Sequence, residues 1–164
     1  MSVLTAITSR LQLISFDRLR LSMLVLAIGG LGVSAYLMWG YTVPGASLAC
    51  GSSHGCEAVK NSVYANIMGV PLPIIGLACY LILLLLLIAQ SQAVVSARGW
   101  SPYIALALFG LSLIGVLFSA YLTYLELFVI YAICRWCVAS AIIMAAFFLL
   151  SIFNLRHSNQ VIQR

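Results

Sequence analysis

Charge is scarce in this chain of 164 residues. Eight Lys and Arg and three acidic side chains, Asp17, Glu57 and Glu126, make up 7% of the sequence. Soluble domains carry about a quarter charged residues. Set against 64% hydrophobic residues, that deficit excludes a soluble globular domain and a disordered segment. It also excludes a nucleic-acid partner, because a net charge of +5 from so few side chains builds no basic face for phosphates. Internal repeats are absent, and the one low-complexity tract is a leucine run. What remains is membrane. About 20 apolar residues cross a bilayer, and the chain has material for four such spans and little else.

The first apolar run, residues 21–40, holds no charge and is too long for the h-region of a cleaved signal, so it reads as a retained span. The second covers about 72–89 and includes the leucine run. Polar residues 90–101, with Arg98, turn the chain. From Tyr103 to Phe153 the sequence is apolar apart from Glu126 and Arg135. Since about 17–25 residues suffice for one crossing, this stretch divides into spans at about 103–125 and 134–153, broken at 126–135. The expected fold class is an all-α four-helix transmembrane bundle. It has an N-terminal arm (1–20), a membrane domain (21–153, with a long loop at 41–70) and a tail (154–164).

Orientation follows from Lys and Arg in the short loops. Arg10, Arg18, Arg20, Arg98, Arg156 and Arg164 fall on one side, and Lys60 and Arg135 on the other. Six against two places both termini in the cytoplasm and the 41–70 loop outside, which in a bacterium is the periplasmic side of the inner membrane. Within that loop, Cys56, Val59, Val63 and Ile67 recur at helical spacing. This predicts a short amphipathic helix on the membrane surface, ended by Gly69. Pro71 and Pro73 suit the first turn of the second span.

Four of the five cysteines come in pairs. Cys50 and Cys56 flank a short glycine-bearing loop segment, and Cys134-Arg-Trp-Cys137 opens the fourth span. Both pairs fall on the outer, oxidising face, where disulfides form and persist. The thiolate is the attacking species, favoured at helix N-termini and beside Arg. Cys134 and Cys137, three apart, share a helix face next to Arg135. Two such pairs allow a two-stage thiol–disulfide relay: a loop pair exposed to a soluble protein, and a membrane pair that needs an electron acceptor dissolved in lipid, for which a quinone is the natural candidate.

Other readings stand beside this one. Two cysteine pairs can bind zinc, but structural zinc knuckles lie in polar segments, whereas one pair here starts a membrane span; no metal ligand set is expected. A static Cys50–Cys56 disulfide with an incidental Cys-x-x-Cys is a further alternative. Cys79, alone in mid-span, reads as a small apolar residue. His54, between the loop cysteines, reads as a solvated histidine or as a base for one of them. Glu126 reads as an interfacial carboxylate before a proton acceptor. Trp39, Tyr41, Tyr121, Tyr124, Tyr131 and Trp136 read as an aromatic belt, some of it available to a quinone site.

The loop pair is followed by Asn61-Ser62-x-Tyr64-Ala65, then by Gly69-Val-Pro-Leu-Pro-x-x-Gly76, then by Cys134-x-x-Cys137 at the start of the last span. In that order the motifs resemble the vitamin K epoxide reductase family over nearly the whole chain, most closely its bacterial and cyanobacterial homologues. The resemblance implies a four-helix bundle around a quinone. It makes Cys134 and Cys137 the active-site pair, Cys50 and Cys56 the shuttle pair, and Ser62 a serine close to the active-site disulfide; Cys137, Ala141 and Ser62 are the expected quinone contacts. Ala141 stands where vertebrate members carry a tyrosine, which favours quinone over epoxide reduction. Many bacterial members continue into a thioredoxin-like domain. Here the sequence ends soon after Phe153, and the expected partner is a thioredoxin-like or DsbA-like protein acting in trans. The implied activity is oxidation of that partner at the expense of a quinone, in support of disulfide formation. The alternatives are a vertebrate-type epoxide reductase and a non-enzymatic metal-binding membrane protein. The DsbB type of oxidase has its pairs in the reverse order.

Overall fold

The computed structural model describes residues 2–43, 48, 50, 55–67, 69–92 and 98–162, with side chains between Asp17 and Ser158. Five α-helices are described: α1 (Ser2–Thr42), α2 (Gly55–Lys60), α3 (Leu72–Ser91), α4 (Ser101–Leu125) and α5 (Arg135–Ile162). A π-helical turn, Glu126–Ile130, extends α4. Helices α1, α3, α4 and α5 are each long and apolar enough to cross a membrane. α1 starts well ahead of residue 21 and α5 continues past 153, because neither flank contains a Gly or Pro to stop the helix. Pro71 caps α3 and Pro73 sits in its first turn, where a missing N–H breaks no ladder bond.

The loop helix is present but shorter than its apolar spacing suggested. α2 closes at Lys60, and Val63, expected on the buried face, is 84% exposed. Ser62 explains the stop. Its N–H and its hydroxyl both donate to the Val59 carbonyl, at 3.2 and 2.8 Å, so a side chain competes for the backbone acceptor and the helix ends. The chain then passes through a 3₁₀ turn, Val63–Ala65. It doubles back as a two-residue antiparallel ladder in which β1 (Asn66–Ile67) pairs with β2 (Val70–Pro71) across Gly69.

In lipid, helix association depends on close packing and interhelical hydrogen bonds, since apolar burial between helices gains little. The bundle uses both devices. Tyr80 of α3 is buried with its ring against Gly30 of α1, where a Cβ would collide with it. Its hydroxyl donates to the Ser140 carbonyl of α5 at 2.9 Å. Met23, Leu83, Leu108 and Phe147 belong to the same core. At the end opposite the loop, the buried Asn154 amide donates to Gln90 Oε1 at 3.1 Å, and the Arg20 guanidinium donates to the Gln90 carbonyl at 2.6 Å. This polar group ties α1, α3 and α5 together.

Candidate functional site

A second core lies at the loop end, made of Leu37, Leu48, Cys50, Cys56, Val59 and Cys134. Cys50 and Cys56 are joined as a disulfide, with Cα atoms 6.1 Å apart. The loop reaches α5 through glycine. The backbone of Gly55 lies against the carbonyl oxygen of Ile133, and a Cβ at residue 55 would strike that oxygen. Gly55 precedes Cys56 and Ile133 precedes Cys134, so one close backbone contact sets the loop pair beside the membrane pair. Cys56 is 1% and Cys134 2% exposed.

Cys134 caps α5. Its carbonyl accepts the Val138 N–H at 3.0 Å, the first bond of the helix. Its sulfur receives the backbone N–H groups of Trp136 and Cys137 and the Cys137 S–H. These N–H groups are among the unpaired donors every helix leaves in its first turn. The Cys-x-x-Cys spacing therefore aims one sulfur at the positive end of a helix and places the second where it can donate to the first. The Cys137 S–H, backed by the two N–H groups, holds the Cys134 thiol below the usual cysteine range, against the opposing pull of burial.

Glu126 organises the approach to that cap. The Tyr131 and Ala132 N–H groups both return to its carbonyl, the second at 3.1 Å. Tyr131 adopts a left-handed φ of 54° that turns the chain from the π-helical turn toward α5. The Glu126 side chain is 4% exposed; its Oε2 accepts the Cys134 N–H at 3.1 Å, and its carboxylate takes a hydrogen bond from Cys137. Glu126 is therefore enclosed against the start of α5 rather than exposed on the bundle surface.

Cys56, Cys134 and Cys137 all line one cavity of about 90 Å³, several times the ~10–15 Å³ that a single water needs. All four long helices contribute to its wall: Ser34 and Tyr41 from α1, Gly76 from α3, Ser119 and Thr123 from α4, and Ala141 from α5. The surface is mainly apolar with a few convergent hydroxyls and Glu126, the usual make-up of a small-molecule site. A smaller cavity adjoins it, sharing Val59, Leu72, Leu122, Glu126 and Cys137 and adding Ser62 and Tyr64.

The residues singled out by sequence distribute unevenly. Cys56, Cys134, Cys137 and Ala141 meet at the main cavity; Cys50 sits behind Cys56 in the disulfide, and Ser62 borders the smaller cavity with Cys137. His54 lies outside the described residues. Cys79 is half-buried on α3, packed on the Tyr80 core. Of the aromatic belt, Trp39, Tyr121, Tyr124 and Tyr131 are exposed, whereas Tyr41 lines the cavity and Trp136 packs on Tyr36 at 4.7 Å. Ser34, Ser119 and Thr123 were not anticipated. Their signal was available in the sequence, as hydroxyls inside otherwise apolar spans.

The cysteine sites and the membrane helices occur together in a known family. The model of the vitamin K epoxide reductase family matches residues 21–152, a stretch that holds all five cysteines and α2. Matched over most of its length, the chain belongs to the vitamin K epoxide reductase family and is a multi-pass membrane oxidoreductase.

Proposed function

We propose that this protein oxidises a thioredoxin-like or DsbA-like partner and passes the two electrons to a quinone. The partner's thiolate attacks Cys50, breaking the Cys50–Cys56 bond and freeing the Cys56 thiolate. Cys56 attacks Cys134, which opens Cys134–Cys137 and releases the Cys137 thiolate. The partner's second thiol then resolves its mixed disulfide with Cys50 and leaves oxidised. Cys50 attacks Cys56, re-forming the loop disulfide and leaving Cys134 and Cys137 reduced. That pair closes again as a quinone in the cavity takes two electrons and two protons. Cys50 and Cys56 act as shuttle cysteines and Cys134 and Cys137 as the active-site pair, with Ser62 and Ala141 on the quinone side of Cys137.

The observation that carries this reading is the shared cavity, with a loop cysteine and both helix cysteines on one apolar wall. A two-stage exchange needs that adjacency, and a lipid-dissolved acceptor needs the apolar wall. The positive-inside count supports a site on the outer side of a bacterial inner membrane, with both termini cytoplasmic. Purified protein in lipid, given a reduced thioredoxin-like substrate and a quinone, tests the function: quinone reduction must require both components. An impermeant thiol reagent applied to intact cells tests the orientation. A cysteine at Trp100 must stay unlabelled until the cells are opened.

A further inference from the structure

We infer that Glu126 is the proton carrier of the quinone-reducing step: its carboxylate takes the proton from the Cys137 sulfur and delivers it to the quinone oxygen. The inference rests on the function proposed above and adds a residue to it.

Three observations converge on this carboxylate. Glu126 is almost fully enclosed, although no Lys or Arg among the described residues forms an ion pair with it. Burying a carboxylate without a cation is costly, and an intramembrane acid that persists in that state points to function. Its hydrogen bonds run to the two residues of the active-site pair, the Cys134 N–H and the Cys137 side chain. It also stands in the wall between two cavities: the one that bears Cys134 and Cys137, and the smaller one that bears Ser62 and Tyr64. Glu126 and Cys137 therefore border both cavities together, so a proton on the carboxylate lies beside the reacting sulfur and faces the larger cavity.

The chemistry requires such a group. Forming the Cys134–Cys137 bond removes two electrons from the pair, and the quinone gains two electrons and two protons to become quinol. Cys134 enters as the thiolate that the α5 cap favours, its proton already released to water at the loop end. Cys137, released as the thiolate when its disulfide opened, has taken up a proton from water by this stage, and its side chain is hydrogen-bonded to the Glu126 carboxylate. Glu126 accepts that proton as the sulfur–sulfur bond forms and passes it to one quinone oxygen; water at the loop end returns the other. Glu126 finishes as it began. The titratable groups around it are Tyr41 from α1, Tyr64 in the 3₁₀ turn, and Cys134 and Cys137 at α5, with Glu57 of α2 acting on Tyr41. The α3 residues in this wall, Leu72, Pro73 and Gly76, carry no titratable group.

Glu126→Gln and Glu126→Asp separate this role from a structural one. Gln keeps the acceptor for the Cys134 N–H but cannot carry the proton; Asp keeps the acid but shortens the reach. With dithiothreitol as donor and a soluble quinone analogue as acceptor, two rates are read: quinone reduction, and reduction of the Cys134–Cys137 disulfide by quenched alkylation. Glu126→Gln should lose about 100-fold in quinone reduction while disulfide reduction stays within about threefold. Glu126→Asp should retain more quinone reduction than Glu126→Gln. Above the pH at which wild-type quinone reduction levels off, the Gln variant should keep accelerating, because hydroxide must then remove the Cys137 proton. Equal quinone reduction in wild type and Glu126→Gln overturns the inference. So does Asp falling below Gln, or Glu126→Gln losing both rates alike, since each of these marks a positioning role. Should Glu126→Gln fail to fold, a Glu126→Asp rate that climbs with pH and never levels off overturns it as well. If wild-type protein reduces no quinone with dithiothreitol, the functional reading itself fails, and Glu126's role with it.

Discussion

Gly55 packs against the main chain of Ile133 so closely that a methyl group at residue 55 would overlap the Ile133 carbonyl oxygen. They lie 78 positions apart in sequence, yet each immediately precedes a cysteine of a different pair. The contact fixes the loop to the start of α5 at the point where the proposed exchange between the pairs takes place.

Gly55→Ala should therefore uncouple the pairs without emptying the site. The added methyl meets a backbone oxygen that cannot rotate away, and overpacking of this kind costs about 1–3 kcal/mol. Electron passage from a protein partner to the membrane pair should slow by about fivefold or more, since a shift of 1 kcal/mol in the exchange geometry is already worth about that factor. Reduction of Cys134–Cys137 by a small dithiol should change little. Rapid-quench alkylation of each cysteine reads both rates. Unchanged transfer from the partner would mean that the Gly55–Ile133 contact does not set the relay geometry.

The capped sulfur makes a second expectation. In reduced protein the Cys134 thiol lies below its ordinary range because the Cys137 S–H and two backbone N–H groups favour the thiolate. As pH falls from alkaline values, its alkylation by iodoacetamide should persist to lower pH than that of an unperturbed cysteine, near 8.5. Cys137→Ala removes the leading donor, so the midpoint for Cys134 should move up. A midpoint that stays fixed in Cys137→Ala would assign the stabilisation to the helix N-terminus alone.

Much of this architecture was legible in the residues. Apolar run length and Lys/Arg placement mark four spans and a loop, and Cys134-x-x-Cys137 at the start of a span marks a helix-capped pair. The extent of α2 was not legible from spacing. Val59, Val63 and Ile67 fit a helix, but Ser62 captures the Val59 carbonyl and ends it, so a local side-chain bond overrides the period. Glu126 was underestimated for a related reason. A lone carboxylate near a helix end is ordinarily interfacial, and sequence does not reveal that this one folds against the start of α5 and accepts the Cys134 N–H. The cavity hydroxyls of Ser34, Ser119 and Thr123 come from spans far apart in sequence and meet only once the bundle forms.

The polar group at the far end of the bundle serves stability and should leave chemistry alone. Asn154→Leu deletes the donor to Gln90 Oε1 and leaves that oxygen buried. Interhelical hydrogen bonds of this kind contribute about 0.6 kcal/mol on average and reach about 1.7, so a loss of roughly 1 kcal/mol in a reversible unfolding titration is expected. Quinone reduction by folded protein should stay within about twofold, because the cluster lies at the opposite end of α3 and α5 from the cysteines. A large loss of turnover at unchanged stability would show that the two ends of the bundle are coupled.

Passage of electrons from the loop pair to the membrane pair through a Cys56–Cys134 bond is the central claim, and one peptide map tests it. In Cys50→Ala protein, Cys56 is a free thiol with no neighbour to take it back. Oxidised with quinone, digested without reductant and analysed by mass spectrometry, this variant should accumulate a Cys56–Cys134 linked peptide with Cys137 alkylated. It should also lose turnover with a protein partner while retaining turnover with a small dithiol, unlike Cys137→Ala, which should lose both. The contradicting result is folded Cys50→Ala protein in which Cys56 is fully alkylated and Cys134–Cys137 stays closed. In that case the two pairs, though they share a cavity wall, do not exchange.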